Sequence, residues 1–112
     1  MTGGRDPVAV AALQYCAAGT AEETLRTLMP LIDRAADDGA KLVCLPEAAT
    51  FLAASRAALA DEAEPAGESP VLDRLCNAAA RRGIQLSIGS MFFLGPDAVS
   101  YTHLTLPTTK NV

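Results

Sequence analysis

The sequence predicts an α/β fold in which short parallel strands alternate with helices. Three observations carry this. Near-continuous apolar runs at residues 8–13 (VAVAAL) and 42–45 (LVCL) have the length and composition of strands in a parallel sheet. A helical apolar stripe lies between them over residues 20–39, and a second covers residues 69–83. A third, partly alternating run follows at residues 84–90 (IQLSIGS). Strand, helix and strand form a βαβ unit, whose strands run parallel through a right-handed crossover.

The chain has 112 residues, enough for one small domain. Half are hydrophobic but only 4% are aromatic, so the core is built from small aliphatic side chains. A net charge of −4 offers no basic stripe, which makes nucleic acid and anionic membrane poor partners. Cys16, Cys44 and Cys76 are odd in number and widely spaced. They match neither a disulfide framework nor a zinc pair, and read as small core hydrophobes. The start lacks the apolar run of a signal peptide, and no stretch has the length of a bilayer span. The expected location is the cytoplasm.

Each element has its own signals. Residues 8–13 read as a buried first strand, and residues 16–19 as the turn after it. Thr20 is placed as an N-cap, with Glu23 three residues on completing a capping box. Leu25, Leu28, Met29, Ile32, Ala35 and Ala36 share one helical face. Pro30 interrupts the pattern, but the stripe stays in phase across it, so one kinked helix ending at Gly39 is expected. The run 42–45 is the second strand, closed by Pro46, which has no N–H to donate. Residues 48–63 predict one or two short helices around Phe51, Leu52 and Leu59, and residues 62–68 a polar linker. Ser69 as N-cap and Pro70 at N1 open the next helix. Its apolar face is Val71, Leu72, Leu75, Cys76 and Ala79; Arg81 and Arg82 suit its last turn, and Gly83 caps it. The third strand extends toward Leu94, and Gly95, Pro96 and Asp97 form a turn.

Glu47 is the candidate catalytic residue. It stands just past the carboxyl end of a strand, where open α/β sheets place their ligand sites. A carboxylate held there and partly desolvated by apolar neighbours suits a general base. Strand parity puts Val43, Leu45 and Glu47 on one side and Cys44 on the other, which argues against a Cys44–Glu47 pair. The Gly89–Ser90 pair either lines a site or marks a tight approach of backbone to a neighbouring helix. No glycine-rich phosphate loop follows the first strand, so a nucleotide-binding unit is discounted.

In order, VAVAALQ, a helix, GAKLVCLPE, and then SPVLDRLCNAAARRGIQLSIGS resemble the nitrilase superfamily of carbon–nitrogen hydrolases. The resemblance implies the N-terminal part of an αββα sandwich, three largely parallel strands with flanking helices, in a parent that forms homo-oligomers. It implies cleavage of small amides or nitriles by a Cys nucleophile, a Glu base and a Lys, with no metal or organic cofactor. Glu47 matches the base. Lys41 precedes the strand, Lys110 lies in the tail, and none of the three cysteines matches the nucleophile motif. The chain therefore reads as a fragment that does not turn over, of a parent resembling the branch acting on small ω-amides such as deaminated glutathione. The rival reading is a small non-catalytic α/β domain that binds a metabolite or a partner protein.

The tail, VSYTHLTLPTT from residue 99, resembles a translated transposon-end sequencing adapter. The domain is accordingly placed at residues 8–97, with 98–112 a non-native tail. The alternative is a natural β-prone terminal strand. His103 lies in this tail and is expected to have no function. A fragment of this kind should leave a sheet edge open and an apolar face uncovered, giving low solubility or a molten state.

Overall fold

The computed structural model describes residues 7–65, 67–95 and 99–106. The elements run β1 (Val10–Ala12), α1 (Ala21–Asp37), β2 (Leu42–Leu45), α2 (Arg56–Glu62), β3 (Glu64–Pro65), α3 (Pro70–Arg82), β4 (Gln85–Leu94) and β5 (Val99–Leu106).

Strands β1, β2 and β4 are parallel neighbours in that order, in register at Ala11, Val43 and Leu86. Both crossovers step in one direction, so right-handed connections place α1 and α3 on the same face. On that face Leu25, Leu28 and Ile32 of α1 meet Leu72, Leu75 and Ala79 of α3 over Val43, Leu45, Leu86 and Ile88. The expected α/β class is thus present, with two strands beyond the three foreseen. β5 lies antiparallel along β4 from Leu86 to Leu94. β3 pairs with Phe93 and Leu94. Because β5 fills one edge of β4, β2 and β3 share the other and lie one after the other in a single lane.

The helix signals read true. The Thr20 hydroxyl accepts from the Glu23 N–H, and α1 continues unbroken through Pro30, which faces solvent. The Glu23 carboxylate accepts from the Thr20 hydroxyl, a variation on the expected box. Gly39 follows the C-cap at φ 97°, and Gly83 caps α3 at φ 65°, a left-handed conformation that suits glycine. Ser69 caps α3 through the Leu72 N–H at 3.0 Å.

Several expectations need correction. The first strand is three residues long and not buried: Val8 is 64% and Val10 58% exposed. It is an edge strand, and Val10 points to the face without helices. For the same reason Leu42 and Cys44 are only half-buried, so β2 is fully covered on one face alone. Cys16 is exposed in the loop after β1 rather than in the core. Phe51 and Leu52 precede the single helix α2, which buries none of its side chains; Phe51 is buried and Leu52 exposed. The supposed linker contains β3. Of the turn expected at residues 95–97, Pro96 and Asp97 lie outside the described residues, as do Lys110 and the His103 side chain.

Candidate active site

The carboxyl ends of β1 and β2 and the middle of β4 converge on the turn that carries Glu47. Pro46 and Glu47 leave the sheet, and Ala48 turns back with φ 50°, a left-handed conformation costing a non-glycine residue about 1–2 kcal/mol. Neighbouring groups hold the turn in this state. The Ala48 N–H donates to the Ser90 Oγ at 2.8 Å, and the Ala49 N–H donates to the Ser90 carbonyl at 2.9 Å. The Tyr15 hydroxyl, carried by the loop after β1, donates to the Ala49 carbonyl at 2.7 Å. Further along, the Leu52 N–H donates to the Ala18 carbonyl, while the Ala18 N–H is held by the buried Thr24 hydroxyl of α1.

Gly89 explains how the turn can lie so close. A Cβ there would fall 2.6 Å from the Pro46 carbonyl carbon and 2.7 Å from the Glu47 nitrogen. The tight approach anticipated for Gly89 is real, but its partner is the backbone of the Glu47 turn and not a helix. The β4–β5 register shifts by one between Ile88 and Met91, so Gly89 and Ser90 form a bulge. Ser90 and Met91 are consequently both buried, and the inward parity of β4 changes from 86 and 88 to 91 and 93. Phe92, now turned to the opposite face, meets the buried Phe51 ring at 5.6 Å between centroids.

Glu47 itself is exposed, and among the described residues nothing hydrogen-bonds its carboxylate. The apolar neighbours expected to shield it leave it open to solvent. Burial instead acts on Tyr15, raising its phenol well above the ordinary value of 10.0. A cavity of about 470 Å³ lies at the other end of the sheet, lined by Lys41, Gly83, Ile84 and Gln85. Lys41 is thus at the opposite end from Glu47. Cys44 occupies the face opposite Val43 and Leu45, as parity predicts.

Sequence reasoning missed two carboxylates near this end of the sheet. Glu62 accepts from the Ala21 N–H at 2.7 Å, and Glu64 accepts from the Ser69 hydroxyl at 2.7 Å and the Val71 N–H at 3.3 Å. Each satisfies a helix N-terminus, one on α1 and one on α3. Nothing local marks them, because both partners are set by tertiary folding. Arg82, read as a helix-end cation, pairs with Asp37 and donates to the Asp33 carbonyl. Its hydrogen bond to Asp37 raises its already high pKa. Among the described residues no acidic, His or Cys cluster could hold a metal ion, and no helix is long and apolar enough to cross a membrane.

A family model described as carbon–nitrogen hydrolase matches residues 8–111, which runs past the boundary expected at residue 97. The NitFhit protein of C. elegans is similar in fold over 86% of this chain and 24% of its own, at 22% identity and a TM-score of 0.76. The NitN amidase of Nesterenkonia sp. AN1, from the nitrilase superfamily, is similar over 88% of this chain and 39% of its own, at 23% identity and a TM-score of 0.69. The chain thus spans well under half the length of the solved structures it matches. One structure of the Nesterenkonia enzyme, a glutamate-to-glutamine variant, shows acrylamide added at the active-site cysteine.

Proposed function

The chain belongs to the carbon–nitrogen hydrolase family, and on that premise we propose that Glu47 is the general base of a site that hydrolyses small amides. The observation that carries this reading is the turn at the end of β2, which fixes Glu47 at the carboxyl edge of a parallel sheet against Gly89 and Ser90. The Nesterenkonia amidase, with its active-site cysteine and a glutamate chosen for replacement, supports the same pairing of groups.

In the proposed reaction Glu47 takes the proton of a cysteine thiol as the sulfur attacks the substrate carbonyl. The C–N bond breaks, ammonia leaves with a proton returned by Glu47, and the acyl group stays on sulfur. Glu47 then takes a proton from water, which attacks the thioester; the C–S bond breaks, the acid leaves, and Glu47 returns the proton to the sulfur. A lysine and a backbone N–H stabilise the oxyanion in both steps. Neither Lys41 nor Cys44 is placed for these roles, so the 112-residue chain carries Glu47 without its two companions and is proposed to be inactive. The natural substrates we favour are small ω-amides of the deaminated-glutathione kind, with nitriles as the alternative class. A cytoplasmic parent, which free cysteines suit, and its homo-oligomeric assembly, which the family resemblance implies, belong to the same proposal. The domain proper is proposed to be residues 8–97. The tail then forms β5 because the open edge of β4 pairs with any β-prone segment.

Ammonia release from a panel of small amides tests this. The 112-residue chain is expected to release none. The chain in its full natural reading frame is expected to be active and to lose at least about 10²-fold of its rate as Glu47→Gln. Thiol-dependent release by the 112-residue chain would refute the inactivity. Turnover retained by Glu47→Gln would refute the base.

A second reading, a non-catalytic domain binding a metabolite or a protein, draws on the exposure of Glu47 and on a cavity that lies away from it. Native genomic sequence beyond codon 98 separates the two. A frame running on into a lysine and a cysteine motif supports the hydrolase, and a stop codon after Val112 supports the small domain.

A further inference from the structure

We propose that Ser90 is a positioning residue for Glu47, acting through the left-handed turn at Ala48; this rests on the reading of Glu47 as the base. Ser90 is 2% exposed and holds two successive N–H groups, Ala48 through its Oγ and Ala49 through its carbonyl. Alternation from Leu86 and Ile88 brings Ser90 to the buried side, and the register shift just beyond it brings Met91 to that side as well, so that Ser90 is enclosed there. Gly89, one residue earlier, leaves the space in which the Pro46–Glu47 peptide sits. The two residues act on one peptide segment from one strand. Gly89 sets how near the turn can come, and Ser90 sets which way it bends.

The arrangement accounts for an otherwise unfavourable conformation. Ala48 has a side chain and a φ of 50°, and no local sequence preference selects that state. With the Ser90 hydroxyl removed, the Ala48 N–H loses its partner and the turn is free to relax toward negative φ. The Glu47 Cα–Cβ direction then changes, because it lies immediately before the dihedral that moves. A general base has to meet the proton it takes within hydrogen-bond reach, so a change of this kind reduces the rate more than the binding of substrate.

The experiment uses the chain in its full natural reading frame, with Ser90→Ala, Ser90→Thr and Glu47→Gln. Hydrogen exchange of the segment 46–52 is read beside kcat and KM. Ser90→Ala is expected to speed exchange at Ala48 about tenfold, with the amides of Val43 and Leu86 unchanged. It is also expected to lower kcat about 10²-fold at nearly constant KM. Ser90→Thr keeps the oxygen and is expected to restore most of both; a merely structural role would not separate kcat from KM or respond to the oxygen. Unchanged exchange at Ala48 in Ser90→Ala overturns the proposal, as does full kcat in Ser90→Ala where Glu47→Gln is inactive. Turnover retained by Glu47→Gln overturns the base reading instead, and the exchange result still decides whether Ser90 sets the turn. If Ser90→Ala does not fold, Ser90→Cys, which keeps the bulk with a poorer acceptor, gives the same readouts.

Discussion

The Tyr15 hydroxyl donates to the Ala49 carbonyl at 2.7 Å, joining the loop after β1 to the turn after β2. This bond ties the edge strand to the Glu47 turn, and burial holds the phenol in its protonated, donating form.

Stability should therefore fall in alkali. The fold keeps the Tyr15 proton to a higher pH than the unfolded chain does. Above about 10.0 the unfolded state ionises first, and unfolding is favoured progressively as pH rises. Tyr15→Phe should flatten this limb. Below pH 9 it should cost about 0.5–1.5 kcal/mol for the lost bond. Denaturant melts of both proteins across pH 8–11 check the slope.

Gly89→Ala should be among the most damaging single-methyl additions in the chain. The new Cβ meets backbone atoms of Pro46 and Glu47, which cannot rotate aside as a side-chain tip can. A loss of about 1–3 kcal/mol is expected, together with displaced amide resonances at residues 46–49.

Ala48→Gly should act in the other direction. Glycine adopts φ 50° without the Cβ penalty, so the folded state gains about 1–2 kcal/mol, less up to about 1 kcal/mol for the freer unfolded chain. Equilibrium unfolding should show a small net stabilisation.

Ser69→Ala should cost about 1 kcal/mol, because the side chain caps α3 while donating to Glu64. Glu64→Gln in the Ser69→Ala background should cost less than in the native one. A double-mutant cycle by denaturant melts measures this coupling.

Exposed apolar groups at Val8, Val10 and Leu52, with the half-buried Leu42, Cys44 and Phe92, should make the 112-residue chain bind a hydrophobic dye. Val10→Lys should reduce both dye fluorescence and self-association. A monomer that ignores the dye would contradict this.

The helices and their ends were readable because their signals are local. Thr20, Ser69, Gly39 and Gly83 each act within a few residues of themselves. The lane shared by β2 and β3, the bulge and the bare face of the sheet were not readable in this way. The alternation of β4 breaks between Ser90 and Met91 because its pairing with β5 shifts register there, and no count along β4 alone reveals that shift. Residues 8–13 read as buried because composition cannot tell a covered valine from one on an edge strand. At the site, Pro46 and Glu47 were legible from their position after β2, and Gly89 from its place within a strand. The roles of Tyr15 and Ser90 depend on contacts 34 and 42 residues away, which no local pattern records.

Because β2 stops at Leu45 and β3 resumes the same lane opposite Phe93, the chain between them is a detour whose two ends are anchored on one strand. Such a detour tolerates lengthening or shortening without altering how the strands interlock. Descendants of a common ancestor could thus remodel the rim beside the acidic group while inheriting its foundation unchanged.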